Sequence, residues 1–335
     1  MPTTLICTSA PTGLGNMGLS LALNINGIDK VILIDYSEYK FHETLAFPNS
    51  KVIFRTDLPH IMDVQSILEN QVKDPARKFL FLETSWGLSE FLPKNRNYIF
   101  PMWEQPSAKL EASYCSNILS VTNHGHRFLS SLGIYNRKIE FPVNISQTFR
   151  KVTKVKNILH NAGSYGGNFR KGTPEAIEIY QKSGVESLGI NLTISALKPP
   201  TDELISLVGK APRGIDFKIG VKETWTELYE DIDLLLYPSR LEGHALPVLE
   251  AHSLGIPALC TNFSPINEYE SESKYLLPIA ERKEFSVMVD TSLSAKILLN
   301  LCTEPQSQKS ISLRQNVEKY YSWRAMRETY ECLFG

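Results

Sequence analysis

The chain has 335 residues, 42% of them hydrophobic, enough for two ordinary domains of roughly 150 residues, each with its own core. Its 35 basic and 36 acidic side chains leave a formal charge of −1, without the basic excess that marks a dedicated nucleic-acid binder. Five scattered cysteines (Cys7, Cys115, Cys260, Cys302, Cys332), never in C-x-x-C, argue against a disulfide framework or a zinc site and suit a reducing cytoplasm.

The opening stretch, "MPTTLICTSA", has no basic n-region and too short an apolar core for a signal peptide. No apolar run approaches the length of a membrane span, which leaves surface attachment to a membrane open. A strand, "TLICTS", leads into "GLGNMG", which reads G-x-G-x-x-G, and "VILID" then ends in Asp35. On paper this is a dinucleotide-binding fingerprint. However, "APTG" puts about four residues between strand and Gly15, longer than that tight turn requires.

Further strand candidates follow: "KVIF", "KFLFLE", "NYIF", "NILSVT" and "KIEFPV", then "VKNILHNAG", "INLTIS", "IDFKIG", "IDLLLYPS", "IPALCT" and "KYLLPI". Strands alternating with helical patterns imply an α/β chain with parallel sheets covered on both faces. One sheet of about 13 strands is unusually large, so two Rossmann-like domains are expected. The polar, basic stretch Asn144–Asn157 marks the boundary, giving domains 1–150 and 151–305. Residues 306–335 read as helix with no strand after it, a segment expected to dock back across the first domain. The basic residues Arg137, Lys138, Arg150, Lys151, Lys154 and Lys156 read as a solvated linker, with anionic lipid or nucleic acid as the alternative. In "HGH", Thr122 or Asn123 looks like a helix cap, so a polar helix start is favoured over a metal pair. In "FPMWEQPS", Trp103 and Glu104 either line a pocket or Trp103 is packed.

The most informative segment is "DIDLLLYPSRLEGHALPVLEAHSLGIPALCTN". Its D-x-D, Asp231 to Asp233, precedes a buried strand, and a metal role is disfavoured. Leu234–Tyr237 form the strand, and Pro238 ends it. After the loop "SRLEGHA" a helix starts near Leu246 with Pro247 in its first turn, runs to Leu254 and stops at Gly255. Glu242 and Glu250 frame this turn, and the helix start offers free N–H groups and a partial positive charge. Gly243 has no Cβ, so a ligand can approach its backbone. Phosphate on the N–H groups and hydroxyls on the carboxylates describe a nucleotide-sugar. The plainer reading is a capping loop with Glu250 facing solvent.

"PSRLEGHALPVLEAHSLGIPALCT" resembles the signature of the retaining glycosyltransferases of family 4. The resemblance implies the GT-B architecture: two Rossmann-like domains facing a cleft, acceptor in the first, nucleotide-sugar mainly in the second. It implies that Glu250 holds the donor ribose, and that Glu242 with the Gly243, His244 and Ala245 backbone faces the sugar and distal phosphate. A second similar stretch is "ILHNAGSYGGNFRKGTPEAIEIY". There Gly163 is followed by Ser164 where the family usually has arginine, while Lys171 is in place and Arg170 beside it is the substitute. Lys171, Arg170 and the helix start at Leu246 would stabilise the departing diphosphate, so no metal or other cofactor is required. The resemblance extends through "NILSVTNHGHRFLSSLGIYNRKIEFPVN". In "FKIGVKE", Val221 and Lys222 would pass nearest the nucleobase. The glycines of the first loop, Gly15 among them, are read as backbone close to acceptor or donor phosphates, with a tight helix-packing turn as the alternative. Trp103, Glu104 and His124 are placed on the acceptor side.

The implied activity is sugar transfer from a nucleotide-diphosphate sugar, with retention, to a glycan, lipid-linked or other hydroxyl acceptor, in the cytoplasm or peripherally at a membrane. Family members are thought to use front-face attack, the leaving phosphate assisting deprotonation of the acceptor. The rivals are a nucleotide-sugar epimerase or DNA-glucosylating enzyme on the same architecture, and a binding protein with a degenerate site, for which Ser164 is the argument. Base, sugar and acceptor stay open.

Overall fold

The computed structural model describes every residue except 11, 36–44, 58–59, 61, 105–114, 164–168, 209–212, 221, 223 and 335. The chain divides into two compact units: Met1–Pro142 with Trp323–Gly335, and Val143–Ser322.

The first unit runs β1 (Thr3–Cys7), α1 (Gly13–Asn24), β2 (Ile28–Asp35), β3 (Val52–Asp57), α2 (Asp63–Val72), β4 (Lys78–Glu83), β5 (Asn97–Pro101), β6 (Asn117–Ser120), α3 (Asn123–Ser131) and β7 (Arg137–Lys138). These strands form one sheet in the order β3-β2-β1-β4-β5-β6-β7, every pair parallel. The unbroken apolar runs "VILI" and "FLFL" suit strands covered on both faces, and Ile32, Phe79 and Phe81 pack there with Val64 and Leu68 of α2. Chain order reverses between β1 and β4, the kind of place where open α/β sheets bind ligands.

The first glycine loop is shaped by its own packing. A Cβ on Gly15 would lie 1.9 Å from the Ala10 carbonyl oxygen, and one on Gly18 2.7 Å from the Cys7 sulfur. On the side a Cβ would occupy, the turn at Gly15 is closed against its own chain. Asp35, the acid of the apparent fingerprint, accepts bonds from the Ser9 N–H at 2.8 Å, the Ser9 hydroxyl and Thr8. "HGH" does open a helix: the Thr122 hydroxyl accepts the Gly125 N–H at 3.0 Å, and His126 Nδ1 sits 2.8 Å from Asn136 Oδ1.

"KIEFPV" is not the strand expected. Only Arg137–Lys138 pair with β6, and Phe141 turns its ring to Trp323 and Tyr330, each 6.4 Å away between centroids. These partners lie on the last helix. The helical tail forms α8 (Ser307–Tyr320) in the second unit and α9 (Trp323–Phe334) in the first. Trp323 Nε1 donates to Ser20 Oγ at 2.8 Å, Tyr330 donates to the Glu140 carbonyl at 3.0 Å, and the Phe334 carbonyl accepts from Thr3. The last helix thus returns to the first unit, as its lack of a following strand suggested.

The second unit runs β8 (Asn157–Gly163), α4 (Thr173–Ser183), β9 (Asn191–Ala196), α5 (Asp202–Val208), β10 (Ile215–Ile219), β11 (Leu234–Tyr237), α6 (Leu246–Ser253), β12 (Ala258–Thr261) and β13 (Leu276–Leu277), then β14 (Ile279–Arg282), β15 (Val287–Val289) and α7 (Thr291–Thr303) before α8. Its parallel sheet has the order β10-β9-β8-β11-β12-β13. "KYLLPI", read as one strand, is split by Pro278: β13 joins this sheet, and β14 pairs antiparallel with β15. Order reverses between β8 and β11, so the loops that leave these two neighbouring strands emerge side by side.

Because the space above Gly15 is already filled, Gly15→Ala is expected to destabilise the protein by about 1–3 kcal/mol, as overpacked backbone sites do. Urea unfolding followed by circular dichroism reads this; an unchanged midpoint would mean that the turn has slack.

Candidate functional site

The loops after β8 and β11 meet through a buried carboxylate. Lys171 closes a short 3-10 turn, Phe169–Lys171, just before α4. Gly172 follows at φ 70°, where a Cβ would lie 2.0 Å from the Pro238 carbonyl oxygen, so only glycine lets the two loops approach this closely. The Arg240 N–H donates to the Arg170 carbonyl at 2.8 Å, and the Arg240 guanidinium pairs with buried Glu175 at 2.6 Å. His160 on β8 bridges the Leu236 carbonyl and the Thr173 hydroxyl; burial lowers it to about 4, so it stays neutral.

Glu242 is 4% exposed. Its Oε1 accepts from Lys171 Nζ at 2.5 Å, the Tyr237 hydroxyl at 2.5 Å and the Ser239 hydroxyl at 2.6 Å, while Oε2 takes one longer bond, 3.3 Å, from Arg170. Burial alone would raise this carboxyl, but the charges of Lys171 and Arg170 outweigh it and hold it at about 2. The cluster is therefore two cations about one fixed anion.

Beyond Glu242 the loop is buried through Gly243, His244 and Ala245. His244 stands edge-on to Tyr269, centroids 5.6 Å apart, and burial lowers it to about 3, so its ring is neutral. Ala245 is the N-cap of α6 at φ 65°, with no side-chain cap on the helix start. A left-handed alanine costs of order 1–3 kcal/mol and persists where its surroundings impose it. Val248, Leu249 and Ala251 anchor the inner face of α6. Glu250, on the same helix, is half-buried rather than turned fully to solvent. Burial pushes its carboxyl up to about 7, against the lowering effects of the Tyr229 hydroxyl, 2.9 Å away, and of the Lys171 charge. The loop and the helix it opens thus hold one carboxylate far below neutrality and another at it.

Lys171, Arg170, Glu242 and the Gly243–Leu246 helix start come together, with Glu250 within reach of the Lys171 charge. Gly163 ends β8 at φ 72°, and Lys222 is exposed. Ser164 and Val221 lie outside the described residues. Trp103, Glu104, His124 and Gly15 belong to the first unit. Trp103 is 4% exposed and packs on His124, centroids 4.2 Å apart, so its ring is committed to the core rather than open to stack on an acceptor. Within the D-x-D, Asp233 accepts the Lys156 and Asn157 N–H groups and pairs with Arg150 at 3.0 Å. Among the described residues no three histidine, cysteine, aspartate or glutamate side chains gather as a metal site. Tyr237, Ser239 and Tyr229 escaped sequence reasoning. The signal for the first two was a hydroxyl-rich "YPS" at the end of an otherwise apolar strand.

Residues 172–304, within the second unit, match the family model for Glycosyl transferases group 1. Among curated proteins, none matches the chain. Solved structures share its fold. WaaG, a glycosyltransferase involved in lipopolysaccharide biosynthesis, is 15% identical with a TM-score of 0.69, covering 100% of both chains. HepE of Anabaena in complex with UDP is 10% identical at 0.69, covering 99% of each chain. A TarM mutant of S. aureus, with UDP, fondaparinux and alpha-GlcNAc-glycerol, is 16% identical at 0.66, covering 81% of this chain. This chain spans only 58% of the length of that TarM structure. The architecture is GT-B, each unit Rossmann-like.

Glu242 sits below its ordinary 4.5, at about 2, so its stabilisation is complete above pH 4.5 and is lost as pH falls toward 2. Relative to Glu242→Gln, the wild type is expected to lose on the order of 3 kcal/mol over that window. Urea unfolding at pH 5, 4 and 3, where about 2 kcal/mol of that loss should already appear, measures both; parallel pH dependences would show that Glu242 carries no such linkage.

Proposed function

We propose that this protein transfers a sugar from a nucleoside-diphosphate sugar to an acceptor hydroxyl with retention of anomeric configuration, and that the site between β8 and β11 holds the donor. The observation that carries the reading is the pairing of Lys171 and Arg170 beside the start of α6, with Glu250 one turn into that helix. A diphosphate needs cations and free N–H groups; ribose hydroxyls need a carboxylate. Glu242 Oε1 is saturated by three donors, but Oε2 keeps an acceptor position for a sugar hydroxyl. Glu242 is thus first a positioning residue for the two cations.

In the reaction the bond between the anomeric carbon and the diphosphate oxygen breaks while the acceptor oxygen bonds to the same face of that carbon. The acceptor proton passes to the leaving phosphate oxygen. Lys171, Arg170 and the helix start spread the developing charge, the task a metal performs in other phosphoryl sites. A uridine diphosphate sugar is the first donor to test, since the TarM and HepE structures carry UDP. The acceptor is read as a glycan, lipid-linked or other hydroxyl compound on the first unit, and the setting as the cytoplasm or its membrane surface. No helix among the described residues is long and apolar enough to cross a membrane.

Two results check this. Donor hydrolysis and transfer by the purified protein should survive EDTA; complete loss restored by manganese would assign the diphosphate to a metal. Glu250→Ala should keep the fold and lose roughly 1.5–3 kcal/mol of donor affinity per charged bond, about ten- to a hundred-fold. A 2′,3′-dideoxy nucleotide should bind both proteins alike. Equal losses for ribose and dideoxyribose ligands in calorimetry would remove Glu250 from the ribose.

A further inference from the structure

Tyr229 is 3% exposed and ends the short turn Trp225–Tyr229, which leads into β11. Its hydroxyl faces two acceptors, the Pro247 carbonyl at 3.1 Å and Glu250 Oε2 at 2.9 Å. A tyrosine has one proton to give. With Glu250 ionised, that proton serves only one of the two. With Glu250 protonated, both contacts are made: Glu250 donates to Tyr229 Oη, and Tyr229 donates to Pro247. Both arrangements fit the same heavy-atom positions and differ only in one proton and the rotation of one hydroxyl.

We infer that Tyr229 is a positioning residue for the donor: it turns its hydroxyl proton from the Pro247 carbonyl to Glu250 when a ribose arrives, and so couples nucleotide binding to loss of the Glu250 proton. This rests on the reading of Glu250 as the ribose acceptor. Two neighbouring hydroxyls donate best to an ionised carboxylate. The Tyr229 bond to Oε2 then fixes the carboxylate plane and leaves Oε1 to the diol. The setting of Glu250 supports the coupling, because burial holds it at about 7, where both forms are populated. Lys171, Tyr229 and Tyr237 are the titratable groups that act on it or sense it. The other charged neighbours of α6, Glu270, Lys309 and Arg314, sit at His252 and Ser253 toward its far end.

The test is calorimetry of UDP and GDP, each beside its 2′,3′-dideoxy counterpart, in buffers of different ionisation enthalpy. The ribonucleotide should release about half a proton more than its dideoxy partner at pH 7, more at pH 6 and next to none at pH 8.5. Equal release by the two ligands overturns the proposal without any variant. Tyr229→Phe removes a bond that favours ionised Glu250, so the preference for ribose over dideoxyribose should fall several-fold at pH 7 and recover toward the wild-type value at pH 9. A ratio unchanged at every pH, or equal losses for both ligands, makes Tyr229 a packing residue only. If Glu250→Ala also leaves the ribose preference intact, the donor-site reading itself has failed; if it abolishes the preference while Tyr229→Phe does not, only the tyrosine's part is wrong.

Discussion

Placing the charge of Glu242 in the interior is the constraint on which the site depends. A buried carboxylate without partners costs several kcal/mol; here it is met by Lys171, Arg170, Tyr237 and Ser239, drawn from two loops that are 66 to 72 residues apart in sequence from Arg170 and Lys171. Those partners converge only because β8 and β11 are neighbours at the reversal of strand order. The reversal brings the loops together, Gly172 lets them touch at Pro238, and the ion cluster then locks them.

Most of the fold was legible because buried parallel strands write themselves as unbroken apolar runs. "KFLFLE", "IDLLLYPS" and "IPALCT" became β4, β11 and β12 within a residue or two. Where the reading failed, one proline or one aromatic ring decided. Pro278 cannot donate to a ladder, and it broke a six-residue run into strands of two different sheets. Phe141 is apolar for the sake of α9, more than 180 residues later, and no local pattern distinguishes that partner from a sheet. The G-x-G-x-x-G likewise shows what spacing leaves out. Two of its glycines, Gly15 and Gly18, are required by packing alone, against the Ala10 carbonyl and the Cys7 side chain.

The site was legible in its charged residues and not in its hydroxyls. Glu242, Glu250 and Lys171 stand out because carboxylates and amines beside a glycine-bearing helix start are unusual in apolar company. Tyr229 carries no such mark, since tyrosine in a short turn is ordinary core material, and Tyr237 and Ser239 leave only the weaker "YPS" at a strand end. Their partners fix their importance, and partners are a property of the folded chain. Lys171 illustrates this: its bond to the Tyr237 hydroxyl and its 5.5 Å approach to the same ring hold the amine over a surface that sequence shows only as "LLLY".

Two glutamates eight residues apart thus come to opposite ends of the carboxylate range for one physical reason each. Both are desolvated, which raises both. Glu242 has two cations in direct contact, and their field exceeds the desolvation, so its charge is permanent. Glu250 feels one of those cations at a distance and is otherwise offered a single shared hydroxyl, so desolvation wins and its charge is optional. A permanent anion suits a part that must hold one lysine and one arginine side chain at all times. An optional one suits a group whose partners arrive with the ligand, because an empty site then need not carry an uncompensated buried charge. The division of labour follows from which carboxylate the loop places beside Lys171 and Arg170, and that is settled by Gly243, His244 and the left-handed Ala245, which turn the chain between Glu242 and the helix bearing Glu250.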